Sequence, residues 1–162
     1  MTRKNLLEHL SYHYWATDKL LTACGALSED DLHKNRGGSF DTLFATLVHM
    51  YSAEDIWLAR WQTREDPGFS PAEDFTDVKH IRREWYGQRQ RIEAFLDTAD
   101  TDASMNVKGY AFTLWQMLLH VIDHSSFHRG QVVHMLRNAG QVPPHTNFIH
   151  YLREQQDMNK NT

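Results

Sequence analysis

Apolar residues recur at three- and four-residue intervals along most of the chain, and they resolve into four long helical stretches. In the first, over about residues 2–26, Leu6, Leu10, His13, Thr17, Leu20, Leu21 and Cys24 share one face. Residues 28–31 read as a loop or the cap of a short turn, and Arg36-Gly37-Gly38 as a turn. Ser39 or Asp41 is the expected N-cap of a second helix that ends at about Trp61. That helix is apolar almost all round, with Phe40, Leu43, Phe44, Leu47, Val48, Tyr51, Ile56, Trp57 and Leu58. Such a helix must be covered on several sides, by its own bundle or by a second subunit. Pro67, Gly68 and Pro71 mark residues 63–71 as a loop.

Residues 74–77 supply N-caps for a third helix reaching Leu96 or Ala99. Its Val78, Ile81, Trp85, Ile92, Phe95 and Leu96 point inward, and Arg82, Arg83, Arg89 and Arg91 form a solvated face. Residues 104–112 alternate loosely around Lys108-Gly109, as a short hairpin or an extended loop would. A long fourth helix covers about residues 113–138 and stops at Gly140, ahead of Pro143 and Pro144. Residues 147–153 predict a short extra C-terminal helix. No repeat or linker divides the chain, so residues 1–162 are expected to form one all-α domain, a helical bundle.

The fourth helix carries His120, His124 and His128, each four residues from the next. With 11 histidines in 162 residues, about one His-x-x-x-His pair arises by chance, so the overlap of two pairs carries the weight. Residues i and i+4 lie one turn apart on one face and can converge on one metal ion. His120 and His128 are separated by a rise of about 12 Å, too far for a single ion with bonds near 2 Å. The wheel places His128 about 20° from the centre of the apolar stripe, His124 about 60° and His120 about 100°. His124 and His128 are therefore the favoured pair, although buried histidines held by hydrogen bonds meet the same pattern.

Other histidines compete. His9 and His13 form another i, i+4 pair on the first helix, with His13 in mid-stripe. His49 lies opposite the strongest stripe of the second helix, beside Ala45 and Ile56. Glu54 and Asp55 sit near its level and are candidate acceptors for a ligand ring, or ordinary salt-bridge residues.

A net charge of −4 and the lack of a basic block argue against nucleic acid as a partner. The one cysteine, Cys24, excludes an intrachain disulfide framework and lacks the pattern of a nucleophile. No signal-peptide core follows the charged N-terminus, and no run of about 18 apolar residues predicts a membrane span. A cytoplasmic location without membrane attachment is the expectation.

Three segments in order resemble the DinB/YfiT-like family. They are Tyr12-His-Tyr-Trp-Ala16 with Leu20-Leu21; Thr46-Leu-Val-His49 followed by Glu54-Asp-Ile-Trp57-Leu-Ala-Arg60; and Asp123-His124-Ser-Ser-Phe127-His128-Arg129-Gly130-Gln131. The resemblance covers nearly the whole chain. It implies a four-helix bundle with a long crossover between the second and third helices, in a homodimer. It also implies a divalent metal, whether zinc, nickel or iron, held by His49, His124 and His128. His49 is supplied by the resemblance alone, and His120 becomes a neighbour of the site. Asp123 stands where the family often has asparagine, and Phe127 where it often has a second histidine, which makes the rim more apolar.

A three-histidine site with open positions fits catalysis, since structural zinc sites close all four. Asp123, Glu54 or Gln131 would orient a ligand ring, and Arg129 would pair with an anionic substrate or form a structural salt bridge. The family's activities imply a low-molecular-weight-thiol S-transferase acting on small molecules in detoxification or stress response. A metal-dependent hydrolase and a non-enzymatic metal-binding stress protein are the alternatives.

Overall fold

The computed structural model describes residues 2–160. Its helices are α1 (Arg3–Cys24), α2 (Glu29–His33), α3 (Leu43–Trp61), α4 (Val78–Thr98), α5 (Leu114–Asn138) and α6 (Phe148–Lys160). A 3-10 turn at Ala72–Asp74 precedes α4, and strands β1 (Ser104–Val107) and β2 (Tyr110–Thr113) lie between α4 and α5. The four long helices α1, α3, α4 and α5 form the bundle. Around it α1 touches α5, α5 touches α3, α3 touches α4, and α4 closes back on α1. α1 and α3 thus face each other across the diagonal, so side chains that join them pass through the centre of the core.

Local chemistry sets where each helix begins. Thr2 caps α1 and Ser28 caps α2, each hydroxyl accepting a backbone N–H. Asp77 caps α4 by accepting from the His80 N–H at 2.7 Å. α3 departs from expectation: its N-cap is Thr42, whose Oγ1 accepts from the Ala45 N–H at 3.1 Å. Asp41 takes a left-handed φ of 60° and lies outside the extended geometry a cap needs. The Ser39 hydroxyl is engaged elsewhere, accepting from Gln131 Nε2 at 2.9 Å. α5 ends as the sequence predicts. Gly140 is left-handed at φ 76°, and the Gly140 and Gln141 N–H groups return to Arg137 and Leu136.

The expected hairpin is present, with β1 and β2 antiparallel about Lys108 and Gly109, both at positive φ. α6 is longer than predicted, reaching Lys160 rather than Arg153, because residues 154–160 contain no helix breaker. It docks on α1 through Tyr151 against Tyr12 and Trp15, and Trp15 Nε1 donates to Glu154 at 2.7 Å.

The all-round apolar helix is α3, and its own chain covers it. Leu43, Leu47, Met50, Leu58 and Ala59 are fully buried. They pack with Leu20 of α1, Ile81 and Leu96 of α4, and Leu118 and Leu136 of α5 in one core. No helix among the described residues is long and apolar enough to cross a membrane. The long connection between α3 and α4, residues 62–77, is fastened to α3 at two points, Asp66 and Ser70, and braced within itself at Gly68. Arg60 donates to Asp66 Oδ2 at 3.1 and 2.7 Å. The Gly68 N–H donates to Asp66 Oδ1 at 2.9 Å, and the Ser70 N–H to Ser52 Oγ at 3.2 Å.

Candidate metal centre

α3 and α5 lie side by side, and His49 of α3 faces two successive turns of α5. His124 Nε2 lies 3.3 Å from His49 Nε2 and 3.2 Å from His128 Nε2. One ligand atom from each of the three rings falls within 4.8 Å of the others, and no other such group occurs among the described residues. Two nitrogens bound to one tetrahedral ion at about 2.0–2.1 Å would stand roughly 3.4 Å apart. His124 is therefore already spaced from each of the other two as ligands of one ion would be. Burial along α5 follows the wheel: His128 is buried, His124 half-buried and His120 exposed.

Hydrogen bonding orients His128. Its Nδ1 lies 3.2 Å from Gln131 Oε1, while Gln131 Nε2 donates to Ser39 Oγ. An amide oxygen only accepts, so Nδ1 carries the proton and the Nε2 lone pair faces the other two rings. Of the residues expected to orient a ligand, Gln131 is the one that does so. Replacing Gln131 with leucine frees the ring to turn and is expected to weaken zinc binding about 10–100-fold, measured by competition with a chromogenic chelator.

The site favours neutral rings. His49 is pushed down to about 4, first by burial and then by His128 and His124 beside it. Burial also lowers His124, with His128 and His120 adding to the effect. Burial lowers His128, opposed by the Gln131 hydrogen bond. Neutral imidazole is the form that binds metal.

Aromatic rings surround the donors. Phe40 lies 3.9 Å from the His49 ring and nearly parallel to it, and Phe69 lies 5.0 Å from it in a similar attitude. Phe127 meets the His128 ring edge-on at 5.1 Å. Sequence reasoning singled out Phe127 but not Phe69, and it placed Phe40 in the second helix, whereas α3 begins at Leu43 and leaves Phe40 in the connection before it. Phe40 and Phe69 both stand in connections flanking α3, where no periodicity assigns a residue to a face. The same two rings explain why His49 escaped its wheel: its covering comes from connections, not from a neighbouring helix.

The remaining candidates have other partners. His120 packs against the edge of Trp57 at 5.1 Å, with its ring 6.1 Å from that of His124. Asp123 is exposed and acts on His124 only through its charge. Asp55 pairs with Arg91 of α4 at 3.2 Å. His9 Nδ1 bonds the Asn5 carbonyl at 2.8 Å. Burial pushes the Cys24 thiol up to about 12, which removes it as a nucleophile at neutral pH.

Glu54, Arg129 and His13 form a separate buried network in the bundle centre. His13 Nε2 lies 2.8 Å from Glu54 Oε1, and Arg129 Nη1 lies 3.1 Å from His13 Nδ1. Arginine has only donors, so His13 Nδ1 accepts and Nε2–H donates to Glu54. Arg129 also donates to the Tyr12 hydroxyl at 3.3 Å and to Ser126 Oγ. Glu54 therefore orients His13 rather than a metal ligand, and Arg129 is turned away from the three-histidine group.

The comparisons with known proteins agree with this architecture. The chain is 25% identical over 151 residues to the uncharacterized protein YizA of Bacillus subtilis (strain 168), a match covering 89% of this chain and 94% of that protein. It is 22% identical over 158 residues to Protein DinB of the same organism, covering 87% and 90%. A crystal structure of a DinB-like protein from Bacillus cereus ATCC 10987 matches the fold with a TM-score of 0.71 at 21% identity, over 89% of this chain and 97% of that one. The DinB family matches residues 1–160. With a matching fold and a three-histidine group able to hold a metal ion, the chain belongs to the DinB family.

Proposed function

We propose that the protein is a metal-dependent enzyme that transfers a low-molecular-weight thiol to an electrophilic small molecule. The observation that carries this reading is the convergence of three neutral imidazole nitrogens, from His49, His124 and His128, at a half-buried position on the bundle. Three nitrogen ligands leave at least one coordination position for another group. A divalent ion held there supplies Lewis acidity, which lowers the pKa of a thiol or water. Neutral ligands leave the ion's full charge uncompensated, which strengthens that effect. Gln131 holds His128 in the required tautomer. In the reaction the thiolate sulfur forms a C–S bond to the electrophile, the leaving group departs with its bonding pair, and the thiol proton goes to solvent.

The test is conjugation of cysteine or 2-mercaptoethanol to monochlorobimane at pH 6.5, where a free thiol of pKa about 8.5 is about 1% ionised. Zinc-loaded protein is expected to accelerate the reaction at least about tenfold over the same protein stripped with chelator. His124→Ala should behave like the stripped protein. No zinc-dependent rate with either thiol would overturn the transferase reading, and zinc-dependent ester hydrolysis in its place would reassign the chemistry to water.

A further inference from the structure

The rim of the centre is built from apolar rings on two separate elements. Phe69, in the 62–77 connection, is 62% exposed, and Phe127 on α5 is 63% exposed. Single exposed phenyl rings are ordinary, but these two stand against ligand rings of the same centre, His49 and His128. Phe69 is held in place because the connection is tied down on both sides of it, by Asp66 before and Ser70 after. Phe127 also borders a cavity of about 260 Å³ that runs between Gly37 and Gly38 on one side and residues 127–135 of α5 on the other. Gly38 is left-handed at φ 91°, and a Cβ there would stand 2.8 Å from Met135 Cε. The left-handed backbone favours glycine here, while the Met135 methyl is flexible enough to move aside. An apolar cavity of about 150 Å³ holds a benzene molecule, so this volume has room for a substituted ring, and it meets the centre through Phe127 and Gln131 rather than through the three histidines, none of which lines it.

Among the described residues, side-chain charge reaches these rings only from a distance, as that of Glu54 and Asp123 does at His124. No charged side chain among the described residues hydrogen-bonds or ion-pairs with the rings of His49, His124 or His128, and Arg129 is occupied in the core. Beyond the ion itself, a carboxylate-rich body would meet the negative charge of Glu54 and Asp123, whereas an aromatic body finds ring faces to pack on. We infer that the site takes small molecules with a metal-coordinating head on an aromatic body, and that Phe69 and Phe127 set this specificity. The inference rests on the three histidines being a metal centre, but not on thiol transfer being its reaction.

The test uses two ligands with the same head, benzohydroxamate and acetohydroxamate, titrated into the cobalt(II)-loaded protein and followed by the cobalt absorption bands. Benzohydroxamate is expected to bind at least about tenfold tighter, in line with burial of one phenyl group. In Phe127→Ala and Phe69→Ala that preference should fall below about threefold, with acetohydroxamate affinity nearly unchanged. Both side chains are exposed, and circular dichroism would confirm that the variants fold. If cobalt does not bind at about one per chain, the metal reading itself fails and takes this inference with it. If cobalt binds but the two hydroxamates bind equally, aromatic selection fails alone. A preference that survives both substitutions would overturn the assignment to Phe69 and Phe127.

Discussion

Replacing His124 with alanine is expected to abolish stoichiometric metal binding while leaving the bundle folded. His124 Nε2 is the nitrogen that stands within 3.3 Å of His49 and 3.2 Å of His128, so its loss leaves two donors with no shared neighbour. Four-ligand zinc sites bind with about 10–16 kcal/mol, or about 3 kcal/mol per ligand. Losing one ligand should therefore weaken binding at least about a hundredfold. The ring is half-buried and has no hydrogen bond outside the cluster, so the fold gives up little. His49→Ala and His128→Ala should behave alike, whereas His120→Ala should keep the metal, because its ring packs on Trp57. Metal content by mass spectrometry after untagged purification and zinc incubation decides the matter. One zinc per chain in His124→Ala would sink the three-histidine centre.

The second large effect is on stability. Glu54→Leu is expected to cost about 3–5 kcal/mol, because it removes the only carboxylate in a network that holds a buried guanidinium. Arg129 makes no direct ion pair among the described residues: its charge reaches Glu54 across neutral His13. Arg129 is 2% exposed and Glu54 and His13 are 1% and 0% exposed, so water cannot replace the lost partner. Glu54→Gln keeps an acceptor for His13 and should cost less, about 1–3 kcal/mol. Adding Arg129→Met to Glu54→Leu should recover part of the loss, since removing both charges leaves neither stranded. Urea unfolding followed by far-UV circular dichroism measures all three. A Glu54→Leu protein within about 1 kcal/mol of wild type would show that the network does not hold the bundle together.

The two histidine groups differ in how far their roles could be read from the sequence. His124 and His128 were legible because both lie on one helix, where 100° per residue turns spacing into direction. The wheel even ranked His128, His124 and His120 in their order of burial. Gln131 was visible for the same reason, one turn beyond His128. His49 was not: its covering rings, Phe40 and Phe69, come from connections, and a helical wheel carries no information about those. It entered through family resemblance alone. The pairing of His13 with Glu54 was hidden too, since it joins α1 and α3 across the diagonal of the bundle. His13 in the middle of an apolar stripe was the available signal that some polar partner must meet it. The N-cap of α3 was misplaced because both earlier candidates, Ser39 and Asp41, are chemically suitable, and only the fold shows that one is bonded to Gln131 and the other is left-handed.

The burial of α3 has a thermodynamic consequence. A helix apolar on every side is often the part of a protein that cannot be folded alone, so that dilution unfolds what association had held together. Here α2, α4, α5 and the 3-10 turn at Ala72–Asp74 pack on α3 within one chain. The burial of α3 is therefore gained when a single chain folds, before any association the folded chain enters. The three imidazoles that α3 and α5 bring together are likewise contributed by one chain, so the group that could hold an ion is complete within it.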